Sequence, residues 1–154
     1  MSQAGQSSRT ITLEEALEQL SLLESQLNQL QATIREIEVR IAQLTAVEDA
    51  LASLAEGAED ALIPLDGRGT VLVPASIKKL ERILVHAGLN VFVEVDREKA
   101  LEYLRDEKAA LSKLLDAYSR EYARLAQYYS ALRSAIESAL QAAPPQAKSQ
   151  QSQQ

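Results

Sequence analysis

The residues with chemical reach are few, and none stands in a catalytic pattern. The chain has one histidine, His86, and no cysteine. A lone imidazole without Cys or Asp partners at ligand spacing does not build a metal centre, so His86 is expected to be structural. The Gly67-Arg68-Gly69 triplet has the glycines of a phosphate cradle but lacks the Lys-Ser/Thr ending and following helix that place amides and an ammonium on a polyphosphate. It reads as a turn. Tyr118, Tyr122, Tyr128 and Tyr129 have rings that can stack on bases, yet Tyr118, Tyr122 and Tyr129 fall on heptad core seats, which favours packing. Carboxylates are plentiful but line helical stretches as solvated faces. No nucleophile, base and oxyanion-binding group converge. The expectation is a non-enzyme with no cofactor.

Composition narrows the class further. The 154 residues are 46% hydrophobic but include only five Tyr and one Phe, with no Trp, so a large aromatic core is not available. Leu, Ala, Glu and Gln dominate, as they do in long helices. A net charge of -6 argues against nucleic acid as a general partner, because phosphate binding relies on clustered Lys and Arg. The opening "MSQAGQSSRT" has no apolar core and one basic residue, Arg9, unlike a secretory signal. No apolar run approaches the ~20 residues that cross a bilayer. These features predict a protein of the cytoplasm with no membrane partner.

The elements that must position any functional surface are legible as heptads. In residues 12–57, Leu13, Leu20, Leu27, Ile34, Ile41 and Glu48 share seat a, while Ala16, Leu23, Leu30, Ile37, Leu44 and Leu51 share seat d. This 3,4 alternation specifies a narrow seam with left-handed supercoiling. Thr12 and Glu15 can form a capping box at its start, and Gly57 is a natural stop. Residues 97–142 repeat the pattern, with Leu101, Lys108, Leu115, Tyr122, Tyr129 and Ile136 on a and Leu104, Leu111, Tyr118, Leu125, Leu132 and Ala139 on d. Asp96 can cap this second helix, and Pro144 and Pro145 end it. Each helix is about 45 residues, roughly 65–70 Å at ~1.5 Å per residue. The polar ends, 1–11 and 143–154, are expected to be disordered.

Two arguments favour an antiparallel helix pair. The connector, residues 58–96, is used up in short strands, and the acidic first helix suits the more basic second one. The polar a seats Glu48 and Lys108 lie at similar distances from the connector, which predicts a salt bridge; the competing reading is two unrelated interruptions near a fraying base. Within the connector, "ALIPL", "TVLVPASI", "RILVHAG" and "VFVEV" are separated by turn chemistry at Asp66 to Gly69 and at Gly88 with Asn90. They read as two β-hairpins. Val91, Val93 and Val95 share a face with Phe92 opposite, and Ile83-Leu84-Val85 is apolar throughout. Strands apolar on both faces need cover that two small hairpins cannot supply. The predicted fold is therefore α+β, mainly α: a long antiparallel two-helix coiled coil joined at one end by two β-hairpins that contribute to an intersubunit β-barrel. The assembly residues are predicted to be Val71, Val73, Ile83, Val85, Val91, Phe92 and Val93.

The Gln- and Leu-rich heptad helix, "IPLDGRGTVLVPASI", "ILVHAGLNVFVEVDREKALEYLRDEKAAL" and the second heptad helix together resemble a prefoldin subunit of the α type, in particular the archaeal ones. The resemblance covers nearly the whole chain apart from its tails. In the family the second hairpin commonly reads Gly-Thr-Gly before an aromatic strand; here Leu89 and Asn90 replace the last two. The resemblance implies a hexamer of two α-type and four β-type subunits. It further implies ATP-independent capture of unfolded client proteins and delivery to a group II chaperonin.

In the expected topology both chain ends lie at a free coiled-coil tip. The predicted client-binding residues are Leu13, Leu20, Leu23, Leu132 and Ile136 on or beside the seam, with Leu17, Leu22 and Leu140 outside the strict seats. A two-helix end cannot enclose all of these, and each one left exposed forgoes roughly 1.5–3 kcal/mol of burial. The competing reading is that they only zip the coil shut. Two rival functions stand beside the chaperone reading. One is a structural coiled-coil tether or scaffold without client binding. The other is a nucleic-acid-binding arm, against which the acidic first helix counts.

Overall fold

The computed structural model describes residues 11–143. Of the ends expected to be disordered, Ile11 and Ala143 fall within these residues and the rest lie outside them. The element order is α1 (Leu13–Ser53), β1 (Ala58–Pro64), β2 (Leu72–Ile77), β3 (Ile83–Gly88), β4 (Val91–Val95) and α2 (Arg97–Ala142). The chain divides into two compact units. A helix-end unit holds described residues 11–34 and 118–143, and a hairpin unit holds Arg35–Ala117.

Both helices begin where side chains satisfy the free amides of a first turn. The Thr12 N–H donates to Glu15 Oε2 at 2.9 Å, and the Glu15 N–H donates to Thr12 Oγ1 at 3.2 Å. That reciprocal pair is a capping box. At the second helix the Lys99 N–H donates to Asp96 Oδ1 at 2.8 Å. α1 ends through a turn at Leu54 to Glu56, after which Gly57 takes φ +89. The Leu80 N–H donates back to the Ala55 carbonyl at 3.2 Å, so the segment between β2 and β3 supplies a donor to the end of α1.

Heptad seats and burial agree along α1. Four of the d residues, Ala16, Leu23, Ile37 and Leu44, are buried. In the helix-end unit Ala16 and Leu23 cluster with Leu132 and Ile136, with Leu20, Leu125 and Tyr129 packed against them. The start of α1 therefore meets the end of α2. In the hairpin unit the end of α1 meets the start of α2: Lys108 Nζ lies 2.8 Å from Glu48 Oε2, and Arg40 lies 3.0 Å from Glu107. The pairing is antiparallel within each unit.

The Glu48–Lys108 bridge joins the two polar a seats in one layer, as their positions predict. Arg105 Nε approaches the other Glu48 oxygen at 4.0 Å, and that oxygen is buried without a hydrogen-bond partner. Beyond Glu48, no acid of α1 pairs with a base of α2 among the described residues. Arg40–Glu107 has the opposite polarity, and in the helix-end unit Arg124 and Arg133 pair with Glu121 and Glu137 on their own helix. Partners three or four residues away are reached without crossing to the other helix.

The connector forms two separate two-stranded antiparallel sheets, β1 with β2 and β3 with β4. In the first, Leu62 pairs with Pro74 and Ala58 with Ile77, across a bulge at which Asp60 takes φ +56. In the second, Val85 pairs with Val93 and Gly88 with Val91 around the two-residue turn Leu89-Asn90. Both central residues of that turn have positive φ, 49° and 60°, the left-handed pair that matches hairpin twist.

Two substitutions test these joints. A Cβ on Gly57 would lie 2.6 Å from the Ile77 carbonyl oxygen, whereas one on Gly67 meets nothing within 4 Å. Gly57→Ala should therefore lower stability by roughly 1–3 kcal/mol in urea unfolding, and Gly67→Ala should not. Glu48 and Lys108 side chains are only 19% and 25% exposed, so solvent compensates little for a lost partner. Lys108→Leu alone should cost about 1–3 kcal/mol, and the double replacement of Glu48 and Lys108 by Leu should recover it. A single variant as stable as the parent would mean that the bridge does not hold this layer.

Candidate functional site

Among the described residues, large apolar side chains remain uncovered in both units. In the helix-end unit the capping box sets where the first turn begins, and so which side chains leave the seam. The structure splits the eight residues expected to hold clients. Leu23, Leu132 and Ile136 are buried at 7–9% exposure, with Leu20 partly buried against them. Leu13, Leu17, Leu22 and Leu140 are 44–59% exposed. Leu13 and Leu17 are one turn apart on one face, and Leu22 is turned about 140° from Leu17 around the helix. Ile11, also exposed, joins this set and was missed from sequence. Its signal was an apolar residue immediately before a capping Thr, the outer half of a hydrophobic staple.

Glu14, Glu18 and Glu24 are exposed and form no ion pair among the described residues. On α2, the hydrogen bond from Arg124 holds the Glu121 carboxyl below its ordinary range, and Glu121 in turn raises the Arg124 guanidinium. Hydrogen bonding to Glu137 raises Arg133 in the same way. Arg124 and Arg133 are thus engaged on their own helix rather than with α1.

In the hairpin unit the expected assembly residues lie on both sheets. Val71, Val91, Phe92 and Val93 are exposed, and Val73, Ile83 and Val85 are half-buried. Leu62, Leu65, Leu72 and Leu84 are comparably open, at 50–66% exposure. They lay in the apolar runs "ALIPL", "TVLVPASI" and "RILVHAG" and had a signal in sequence, but runs apolar on both faces do not say which side chains stay out. Each sheet has two strands, so every strand is an edge, and Pro74 is accommodated for that reason. His86 packs its ring on Phe92 with centroids 5.1 Å apart, and its carbonyl accepts from the Tyr103 hydroxyl at 3.4 Å. An open groove of about 400 Å³ lies between the β3–β4 ribbon and the start of α2, with Val85, Val93, Val95 and Tyr103 in its wall beside the charged Lys99, Glu102 and Asp106.

Among the described residues, no group of three or more His, Cys, Asp or Glu is placed to hold a metal ion, and no helix is long and apolar enough to cross a membrane. Long helices with leucines outside their seam and two open-edged apolar hairpins define a mainly helical α+β protein.

The comparisons with known proteins name that class. The family model described as Prefoldin subunit matches residues 23–142, and the chain belongs to the prefoldin family. It is similar to prefoldin subunit alpha of Sulfurisphaera tokodaii, 30% identical over 77% of this chain and 78% of that one. Prefoldin subunit alpha of Aeropyrum pernix is 27% identical over 74% and 76%. A cryo-EM structure of filamentous PFD from Methanocaldococcus jannaschii shares the fold, with a TM-score of 0.61 over 79% of this chain and 98% of that chain at 24% identity. The relatives make this an alpha-type subunit, of chaperone type.

The first ribbon's turn carries a pH signature. The Thr70 N–H donates to Asp66 Oδ1 at 2.8 Å. Hydrogen bonding from Thr70, side chain first and backbone second, holds the Asp66 carboxyl below its ordinary value. A depressed carboxyl contributes its hydrogen bonds above the unfolded pKa of about 3.9 and loses them as pH falls through the folded value. The Thr70 amide signal should thus be unchanged from pH 7 to about pH 5 and move only below the ordinary Asp range. Asp66→Ala should abolish that titration; a midpoint at or above the ordinary value would contradict the turn described.

Proposed function

We propose that this chain is a subunit of an ATP-independent chaperone assembly, in which its ribbons join those of beta-type subunits in a shared β-barrel and its helix ends hold unfolded clients. The expected stoichiometry is two alpha-type to four beta-type subunits, with a group II chaperonin receiving the client. The observation that carries this reading is the exposure of Leu17, Leu22 and Leu140 beside a seam already filled by Leu23, Leu132 and Ile136. A tether needs the seam but gains nothing from the leucines outside it. Each exposed Leu offers a non-native apolar segment roughly 1.5–3 kcal/mol of burial, which is weak alone. Several such ends in one assembly raise the effective concentration of the rest and give useful avidity.

The residues proposed for client contact are Leu13, Leu17, Leu22 and Leu140, with Leu20, Leu23, Leu132 and Ile136 reached when the end frays. Those proposed for assembly are Val71, Val73, Ile83, Val85, Val91, Phe92 and Val93. Replacing Leu17, Leu22 and Leu140 together by Gln, in the complex formed with a beta-type subunit, should raise the amount needed to suppress aggregation of a denatured client by at least about tenfold. Native mass should show the same assembly for parent and variant. Undiminished suppression by an intact assembly would sink the client site and favour the tether.

A further inference from the structure

We infer that Asp66 and Gly67 form a site of spontaneous covalent modification, where the Gly67 amide nitrogen attacks the Asp66 side-chain carboxyl and converts Asp66 to isoaspartate, under restraint from the Thr70 amide. This goes beyond the chaperone reading and does not depend on it.

The sequence singles out the pair. Asp66 is the only one of the six Asp residues followed by glycine; every other Asp precedes Ala, Arg or Glu. Asn28 and Asn90, whose side chains can react in the same way, precede Gln29 and Val91. The attack closes a five-membered ring, and a Cβ on the attacking residue crowds the approach and narrows the backbone angles that permit it. The structure leaves the pair open. Both residues are exposed in the turn between β1 and β2, and a Cβ built on Gly67 would meet nothing within 4 Å. The amides bonded around this turn are those of Leu65, Gly69 and Thr70, so the Gly67 nitrogen is not among them.

The reaction balances with water alone. The Gly67 nitrogen bonds to Asp66 Cγ and gives up its proton, the Cγ–OH bond breaks, and one water leaves as a succinimide closes. Water then opens the ring. Breaking the original peptide bond leaves the chain running through Cβ and Cγ, longer by one carbon–carbon bond of about 1.5 Å, with the old main-chain carbonyl now a free carboxylate. Because hydroxide is a poor leaving group from a carboxylate, the neutral acid is the reactive form. The Thr70 N–H, 2.8 Å from Asp66 Oδ1, favours the ionised form and keeps the reactive one scarce. The same bond turns the carboxyl across the turn towards Thr70.

The test incubates the full-length chain near pH 5, above the ordinary Asp value of about 3.9. Isoaspartate is counted by enzymatic methylation and located by electron-transfer fragmentation in a mass spectrometer. It should accumulate at Asp66 well above every other Asp, and Gly67→Ala, which leaves the fold intact, should abolish the excess. The native chain should react about tenfold more slowly than the same chain in urea for each pH unit separating the folded and unfolded pKa of Asp66. Isoaspartate spread evenly over the Asp residues, none at Asp66 in the native chain, or an unchanged yield in Gly67→Ala would overturn the site. A native chain that reacts as fast as the unfolded one would overturn the restraint by Thr70.

Discussion

The structure turns on a shortage of cover. Residues 58–96 must connect two helices, and they do so as two ribbons of two strands each, with apolar side chains on both faces and unpaired backbone along both edges. A two-stranded sheet is marginal in water, and a third layer is what ordinarily makes it stable. Val73, Ile77, Ile83 and Val85 are half-buried, and Ile83 and Val85 line a groove with Leu44 and Leu104 of the helices. Leu62, Leu65, Leu72, Leu84 and Phe92 stay exposed. No rearrangement within so short a connector removes the deficit, because turning one face inward turns the other out.

That deficit makes the joints between ribbon and helix important. Gly57 lets the end of α1 pass against the carbonyl of Ile77, and the Leu80 amide ties back to Ala55. A few residues further up the helices, the Glu48–Lys108 layer replaces an apolar contact with a charged one. An ion pair of this kind adds little net stability over two leucines, but a one-heptad slip would leave each charge facing apolar neighbours. The layer therefore acts on alignment more than on strength. It sets which residues of α1 and α2 stand beside the ribbons.

Much of this was legible in the chain itself because coiled coils obey a simple period. The seam, both helix caps, the Glu48–Lys108 layer and the presence of two hairpins follow from spacing and turn chemistry. What period alone does not decide is burial at an end: Leu13 holds an a seat yet is 44% exposed, because a seat is covered only when layers lie on both sides of it. The start of β1 in the acidic stretch Ala58-Glu59-Asp60-Ala61 was also hidden. That pairing depends on a bulge with Asp60 at positive φ, and a bulge leaves no trace in an apolar pattern. Leu89 was visible as a departure from a glycine-rich turn, but its left-handed backbone is a fact of geometry and not of residue type.

The uncovered side chains of helix and ribbon differ in what they can offer a partner. On a helix every backbone N–H and C=O beyond the first and last turns is already bonded within the helix, so Leu17, Leu22 and Leu140 can contribute only side-chain area. Contact of that kind has no required register and little preference among apolar sequences. Many different chains can use it, and it dissociates readily unless several ends engage the same molecule. A ribbon edge is the opposite case. Its unpaired amides and carbonyls ask for a strand in register, and a slip of one residue reverses which side chains meet the core. A partner that satisfies such an edge has a defined sequence and stays. On the proposed function, leucines on saturated helices would serve a transient, tolerant contact and valines on open strands a permanent, specific one, although both draw on the same apolar burial.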